Sequence, residues 1–200
     1  MTRFLPGIIA MATIVVASNI LVQFVLGDWL TWGAFTYPFA FLVTDVMNRV
    51  HGPAAARRVV AAGFVTGVAC SLIAAGFDMT TLRIAIASGA AFLVAQMTDI
   101  AIFDRLRGGQ WWRAPLASTL IGSALDTALF FGIAFSAMLP ADANTGWSNE
   151  IVPLLGQGPG VQLWVSLAVA DWLVKLGLAL LALVPFRLIV RNLLRAAQES

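Results

Sequence analysis

Residues 161–186 read VQLWVSLAVADWLVKLGLALLALVPF, an apolar run with Asp171 and Lys175 near its middle. A spanning helix needs about 20 mostly apolar residues, and a charge at its centre costs on the order of 2.5–3.5 kcal/mol. Asp171 and Lys175 are four apart, so a helix sets them on one face, where they either neutralise each other or reach a ligand. Working outward, five further runs of this kind appear, over 4–26, 31–49, 58–77, 82–103 and 115–138. Three of them hold a buried-position acid: Asp45, Asp99 and Asp126. The chain therefore reads as an all-α integral membrane protein, a bundle of six transmembrane helices forming one domain over 1–200.

Composition agrees. The chain is 60% hydrophobic and 11% charged, with a mean hydropathy of +0.89, whereas a soluble domain carries about 25% charged residues. The basic pI near 9.3 does not point to nucleic acid, because eleven of the twelve Lys and Arg residues are arginines that mostly flank apolar runs. Cys70 stands alone in an apolar run, which excludes a disulfide framework. One histidine, His51, and one cysteine leave no usual zinc set, and no cofactor motif is present. HExxH needs two histidines, and GxSxG, P-loop and paired-aspartate protease patterns are absent, which argues against an intramembrane enzyme. The first run is too long for a signal-peptide core, so a retained first helix is expected.

Arginines set the expected topology. Arg3, Arg49, Arg57, Arg58, Arg105, Arg107, Arg113, Arg187, Arg191 and Arg195 fall on one side of a six-span arrangement. Asp28, Asp78, Asp142 and Glu150 fall on the other, with Arg83 as the only cation there. Both termini are thus expected in the cytoplasm, with the chain in the cytoplasmic membrane. Trp29, Trp32 and Trp147 outside, and Trp111 and Trp112 inside, suit interfacial belts. Arg83 is either a cation reaching the headgroups or a residue at the outer mouth that attracts or gates a ligand. The longest connection, 139–160, holds apolar residues that suit the membrane surface.

Polar residues recur at helical spacing. Asn19 and Gln23 are four apart, Gln96 and Asp99 three apart, and Thr44, Asp45 and Asn48 cluster after Pro38. Ser118, Gly122, Asp126 and Phe130 line up at intervals of four, the first two being a small-residue pair suited to helix contact. Asp45 lies four residues from Arg49 and Asp99 six from Arg105, placements that brace cytoplasmic helix ends. Asp126 has no cation near it in its own run: Lys175 reaches it, or it faces a wet cavity, or it is protonated.

The run TWGAFTYPFAFLVTD over 31–45, with HGP at 51–53 and ARR at 56–58, resembles the queuosine precursor transporter family, once called vitamin uptake transporters. Further likeness lies in Ser18-Asn19, LVQ at 21–23, RIAIAS at 83–88, Gln96, Asp99 and Phe103. Trp111-Trp112, ASTL at 117–120, 123–135 around Asp126-Thr127, and Asp171, Lys175 and Pro185 continue it. The likeness is weakest in the outer loops. It implies import of a 7-deazaguanine base: the 7-cyano or 7-aminomethyl precursor, or queuine. Such a base offers N1–H and N2 donors that a carboxylate accepts and an O6 that a donor must meet. On that reading Asp126 takes the donors and Lys175, held by Asp171 or Asp126, serves O6. Asn19, Gln23 and Gln96 complete the polar edge, and Phe41, Phe130 and Trp172 are stacking walls. Asp45, Asn48, Arg49 and Asp99 form a cytoplasmic-side layer that gates release. The partners implied are the base, the lipid bilayer and, from the abundance of small residues, a second copy in a homodimer. Other readings are a capture subunit of an energy-coupling-factor transporter, an intramembrane enzyme and an assembly factor.

Overall fold

The computed structural model describes residues 4–22, 24–26, 30–139, 145–196 and 198–199. Helix α1 runs Leu5–Leu21, and a two-stranded ribbon of β1 (Val25–Leu26) and β2 (Leu30–Thr31) follows. A single turn, α2 (Gly33–Thr36), leads across Tyr37 into α3 (Pro38–His51). Helices α4 (Pro53–Gly76), α5 (Leu82–Leu106) and α6 (Arg113–Phe135) come next. A 3-10 turn and an antiparallel pair, β3 (Ile151–Pro153) with β4 (Gly160–Gln162), then lead to the long α7 (Leu163–Ala196).

Local chemistry explains the boundaries. Pro38 and Pro53 open α3 and α4 at the first helical position, where no backbone N–H is needed. Between those helices stands only Gly52, whose φ of +84° is open to glycine without strain. The Thr81 hydroxyl accepts from the Ile84 N–H and caps α5.

Helices α4, α5, α6 and α7 are each long and apolar enough to cross a membrane, and α1 is a shorter apolar helix. Exposed positions on them are apolar, such as Leu72, Ile73, Leu180, Leu181 and Val184, while Thr44, Asp45, Asn48, Gln96, Asp99 and Ser118 are buried. That inversion suits a lipid surround, where polar groups must find partners inside the protein. The fold is that of an all-α integral membrane protein. Its apolar core lies where Met11 and Val15 of α1 meet Met47 of α3, Val59 and Val60 of α4, and Phe92 of α5. A second cluster joins Phe103, Ala114, Phe186 and Val190. Helices α5 and α6 have the most extensive mutual contact.

Three boundaries differ from expectation. The first apolar run is helical only to Leu21, because hydropathy does not separate an apolar strand such as Val25–Leu26 from an apolar helix. The fourth helix begins at Pro53 rather than near 58, since Gly52 has already turned the chain. The last helix continues through Pro185 to Ala196, held by Phe186 and Val190 packing in the second cluster.

Candidate functional site

Helix α6 brings Asp126 and Thr127 to the bundle interior, and α7 brings Asp171 and Lys175 opposite them. Lys175 Nζ lies 2.8 Å from Asp126 Oδ2 and 2.6 Å from Asp171 Oδ2. It also donates to Thr127 Oγ1 at 3.0 Å, and the Thr127 hydroxyl donates to Asp171 Oδ2 at 2.8 Å. Tyr37, at the break between α2 and α3, donates to Asp126 Oδ1 at 3.2 Å, and Lys175 Nζ stands 5.5 Å from its ring centroid. Two carboxylates and one ammonium leave the cluster one negative charge in excess when all are ionised. Of the alternatives open for Asp126, the structure shows Lys175 reaching it and a cavity meeting it.

That cavity has a volume of about 600 Å³ and lies in the half of the bundle away from both chain ends. Asp126, Asp171, Lys175 and Tyr37 border it at its deep end. One wall is aromatic: Phe130 packs edge-on to Phe131 and Phe135, and Trp147 stands 5.8 Å from Phe135. Asn19 of α1 borders it as well, with its amide donating to the Val15 carbonyl one turn back. Small residues Gly63, Gly67, Ser88 and Gly89 also line it. The shape and lining are those of a small-molecule site, apolar with a few convergent polar groups.

A second polar layer lies beyond Phe41, toward the chain ends. Asp45 accepts from the Ser118 and Thr119 hydroxyls, each at 3.2 Å, and its carboxyl neighbours that of Asp99. The Thr44 hydroxyl donates to Gln96 Oε1 at 2.6 Å, and the Asn48 amide donates to the Ile100 carbonyl. Phe41 fits between the layers because Gly122 has no side chain: a Cβ there would stand 2.9 Å from the Phe41 ring.

The structure thus gathers Asp126, Asp171, Lys175, Asn19 and Phe130 at the cavity. Gln96 lies in the second layer with Asp45, Asn48 and Asp99, and Phe41 lies between the two. Trp172 does not border the cavity and is more than a third exposed on α7. Gln23 is outside the described residues. Arg49 turns away from Asp45 and donates to the Arg107 carbonyl. Arg83 donates to the carbonyls of Ile133 and Ser136, each at 2.6 Å, and so closes the end of α6. Sequence reasoning did not single out Tyr37 or Thr127; the signal available was Tyr37 directly before Pro38, where a helix break turns a side chain inward.

Comparisons with known proteins bear on this arrangement. The family described as "Putative vitamin uptake transporter" matches residues 31–190. The chain is 32% identical to the "Queuosine precursor transporter" of Escherichia coli over 94% of its own length and 86% of that protein. It is 33% identical to the "Probable queuosine precursor transporter" of Haemophilus influenzae, over 82% of this chain and 69% of the relative. A "Probable queuosine precursor transporter" of Bacillus subtilis is 25% identical over 76% of this chain and 68% of its own. No solved structure matches it significantly.

Proposed function

The chain belongs to the queuosine precursor transporter family, as a multi-pass protein of the inner membrane, and from that premise we propose that it imports 7-deazaguanine precursors of queuosine. The observation that carries the reading is the Asp126–Lys175–Asp171 cluster at the deep end of an aromatic-walled cavity. The paired N1–H and N2 donors of a guanine-like edge suit a carboxylate. Both oxygens of Asp126 are already engaged, by Tyr37 and Lys175, whereas Asp171 Oδ1 takes no donor among the described residues. Asp171 is therefore the carboxylate that meets the base first, with Asp126 holding Lys175 in place to serve O6. Phe130 supplies the flat wall.

Six crossings account for the arrangement: α1, the α2–α3 pair, and α4 to α7, in one domain with both termini cytoplasmic. The cavity then faces outward, and the Asp45–Asp99 layer lies on the cytoplasmic side. Transport requires no bond to be made or broken, so no residue takes a catalytic role.

The test is uptake of radiolabelled 7-cyano- and 7-aminomethyl-7-deazaguanine by the purified chain in proteoliposomes. Accumulation by the wild type, and its loss in Asp171→Asn and Asp126→Ala proteins that still insert, is expected. Uptake that appears only with an added ATPase partner would replace this reading with that of a capture subunit.

A further inference from the structure

We propose that Asp45 and Asp99 form a proton-binding pair whose proton latches the inner half of the bundle shut and enters the cell with the base. The coupling rests on the transport reading above; the bound proton itself does not. Both side chains are almost wholly buried, and their carboxyls are neighbours across α3 and α5. Asp45 receives the Ser118 and Thr119 hydroxyls, while neither oxygen of Asp99 meets an N–H or O–H donor. Two adjacent carboxyls away from water do not both ionise. One proton between them turns an anion pair into a hydrogen-bonded one and gives Asp99 its missing partner.

No cation does that work. Among the described residues neither carboxyl has an ion pair. On α3, Arg49 is turned to the Arg107 carbonyl; Arg107 holds Asp104 of α5 and the carbonyls of Asn48 and Arg49. From α5, Gln96 is engaged by Thr44, and from α6 only the Ser118 and Thr119 hydroxyls face the pair. From α7, Ala179, Ala182 and Phe186 are apolar. The next charged group along α6 is Asp126, two turns on from Thr119, and it is paired with Lys175 of α7.

Other observations mark the layer as a place for a small guest. Gln96 Nε2 and Asn48 Oδ1 are buried there without partners. A void of about 10 Å³ touches both Asp45 and Phe41, room for about one water.

The pair is also linked to the cavity by the same three helices. Tyr37, which caps the start of α3, precedes Asp45 by eight residues, on α5 Phe92 precedes Asp99 by seven, and on α6 Thr119 precedes Asp126 by seven. These are two-turn spacings, so Tyr37, Phe92 and Asp126 at the cavity move with the faces that hold the pair. When the proton leaves, two anions remain side by side, and their repulsion parts α3 from α5 and α6. The proton is taken up from the cavity side with the base and passes to cytoplasmic water as the layer opens; the empty bundle turns outward unprotonated and reloads there, so one proton moves inward with each base.

Infrared spectroscopy of the purified protein tests the bound proton without any substrate. A carboxylic-acid carbonyl band at neutral pH that is lost in both Asp45→Asn and Asp99→Asn is expected. Absence of the band, or a band that neither substitution changes, overturns the proposal. Proteoliposomes test the coupling: an inside-alkaline gradient should raise initial uptake of the 7-aminomethyl base several-fold in wild type. In Asp99→Asn that response should vanish while the thermal shift given by the base remains. Uptake indifferent to the proton gradient, or driven by sodium instead, overturns the coupling. Failure of the base to bind either protein refutes the substrate reading and leaves the infrared result to decide on the proton.

Discussion

Tyr37 donates its hydroxyl to Oδ1 of Asp126 across 3.2 Å, joining the break between α2 and α3 to the middle of α6. Lys175 takes the other oxygen, so the carboxylate is held from two sides. The Tyr37 ring is itself wedged edge-on against Phe41 and Phe92. One residue thus ties the charged cluster to the aromatic plug that separates cavity from inner layer.

Removing only that hydroxyl is informative. Tyr37→Phe keeps the ring contacts and strips one donor from a buried carboxylate, a loss worth about 1–3 kcal/mol. Affinity for the base, read by thermal shift or scintillation proximity, is expected to fall about tenfold or more, with little change in the folded yield. Unchanged affinity would separate Tyr37 from recognition.

Lys175 carries a different consequence. Among the described residues its ammonium is the only cation at Asp126, which is buried, and at Asp171, which is partly buried. Lys175→Met leaves both acids unpaired, and breaking a buried pair from one side costs about 3–5 kcal/mol. The melting temperature in detergent should drop clearly, and a second change, Asp126→Asn, should recover part of it. A double variant as unstable as the sum of the two singles would show that the pair is not coupled.

The charged residues were legible in the sequence because acids inside apolar runs are conspicuous, and spacing alone joined Asp171 to Lys175. The contact of Lys175 with Asp126 spans 49 residues, and no spacing rule reaches that far. Helix faces also stayed hidden. In lipid the outward face of a helix is as apolar as its inward one, so Trp172 of α7 and Phe130 of α6 look alike on paper, yet only Phe130 borders the cavity. The role of Arg83 was unreadable for a related reason: it donates to backbone carbonyls 50 and 53 residues on, and these carry no side-chain signature.

Arg83 should therefore matter to stability before transport. Arg83→Met deprives the Ile133 and Ser136 carbonyls of charged donors, bonds worth about 1.5–3 kcal/mol each at most. Lower thermal stability with an unchanged KM for uptake is expected. A raised KM at normal stability would instead put Arg83 in the ligand's path.

Gly122 is the site where bulk alone should act. An added Cβ would meet the Phe41 ring at 2.9 Å and the Ala95 carbonyl oxygen and Asp99 Cβ at 3.4 Å each. The ring must shift to make room, and the small void that it shares with Asp45 is one place it can go. Overpacking of this kind costs about 1–3 kcal/mol. Gly122→Ala is expected to lower both melting temperature and uptake, and Gly122→Val to do so more strongly. Combining Gly122→Ala with Phe41→Leu removes the clash and should restore stability while leaving the floor of the cavity leakier. That separation is measurable as recovered folding without full recovery of gradient-driven accumulation. If the double variant folds and accumulates base like wild type, Phe41 does not seal the two layers from each other.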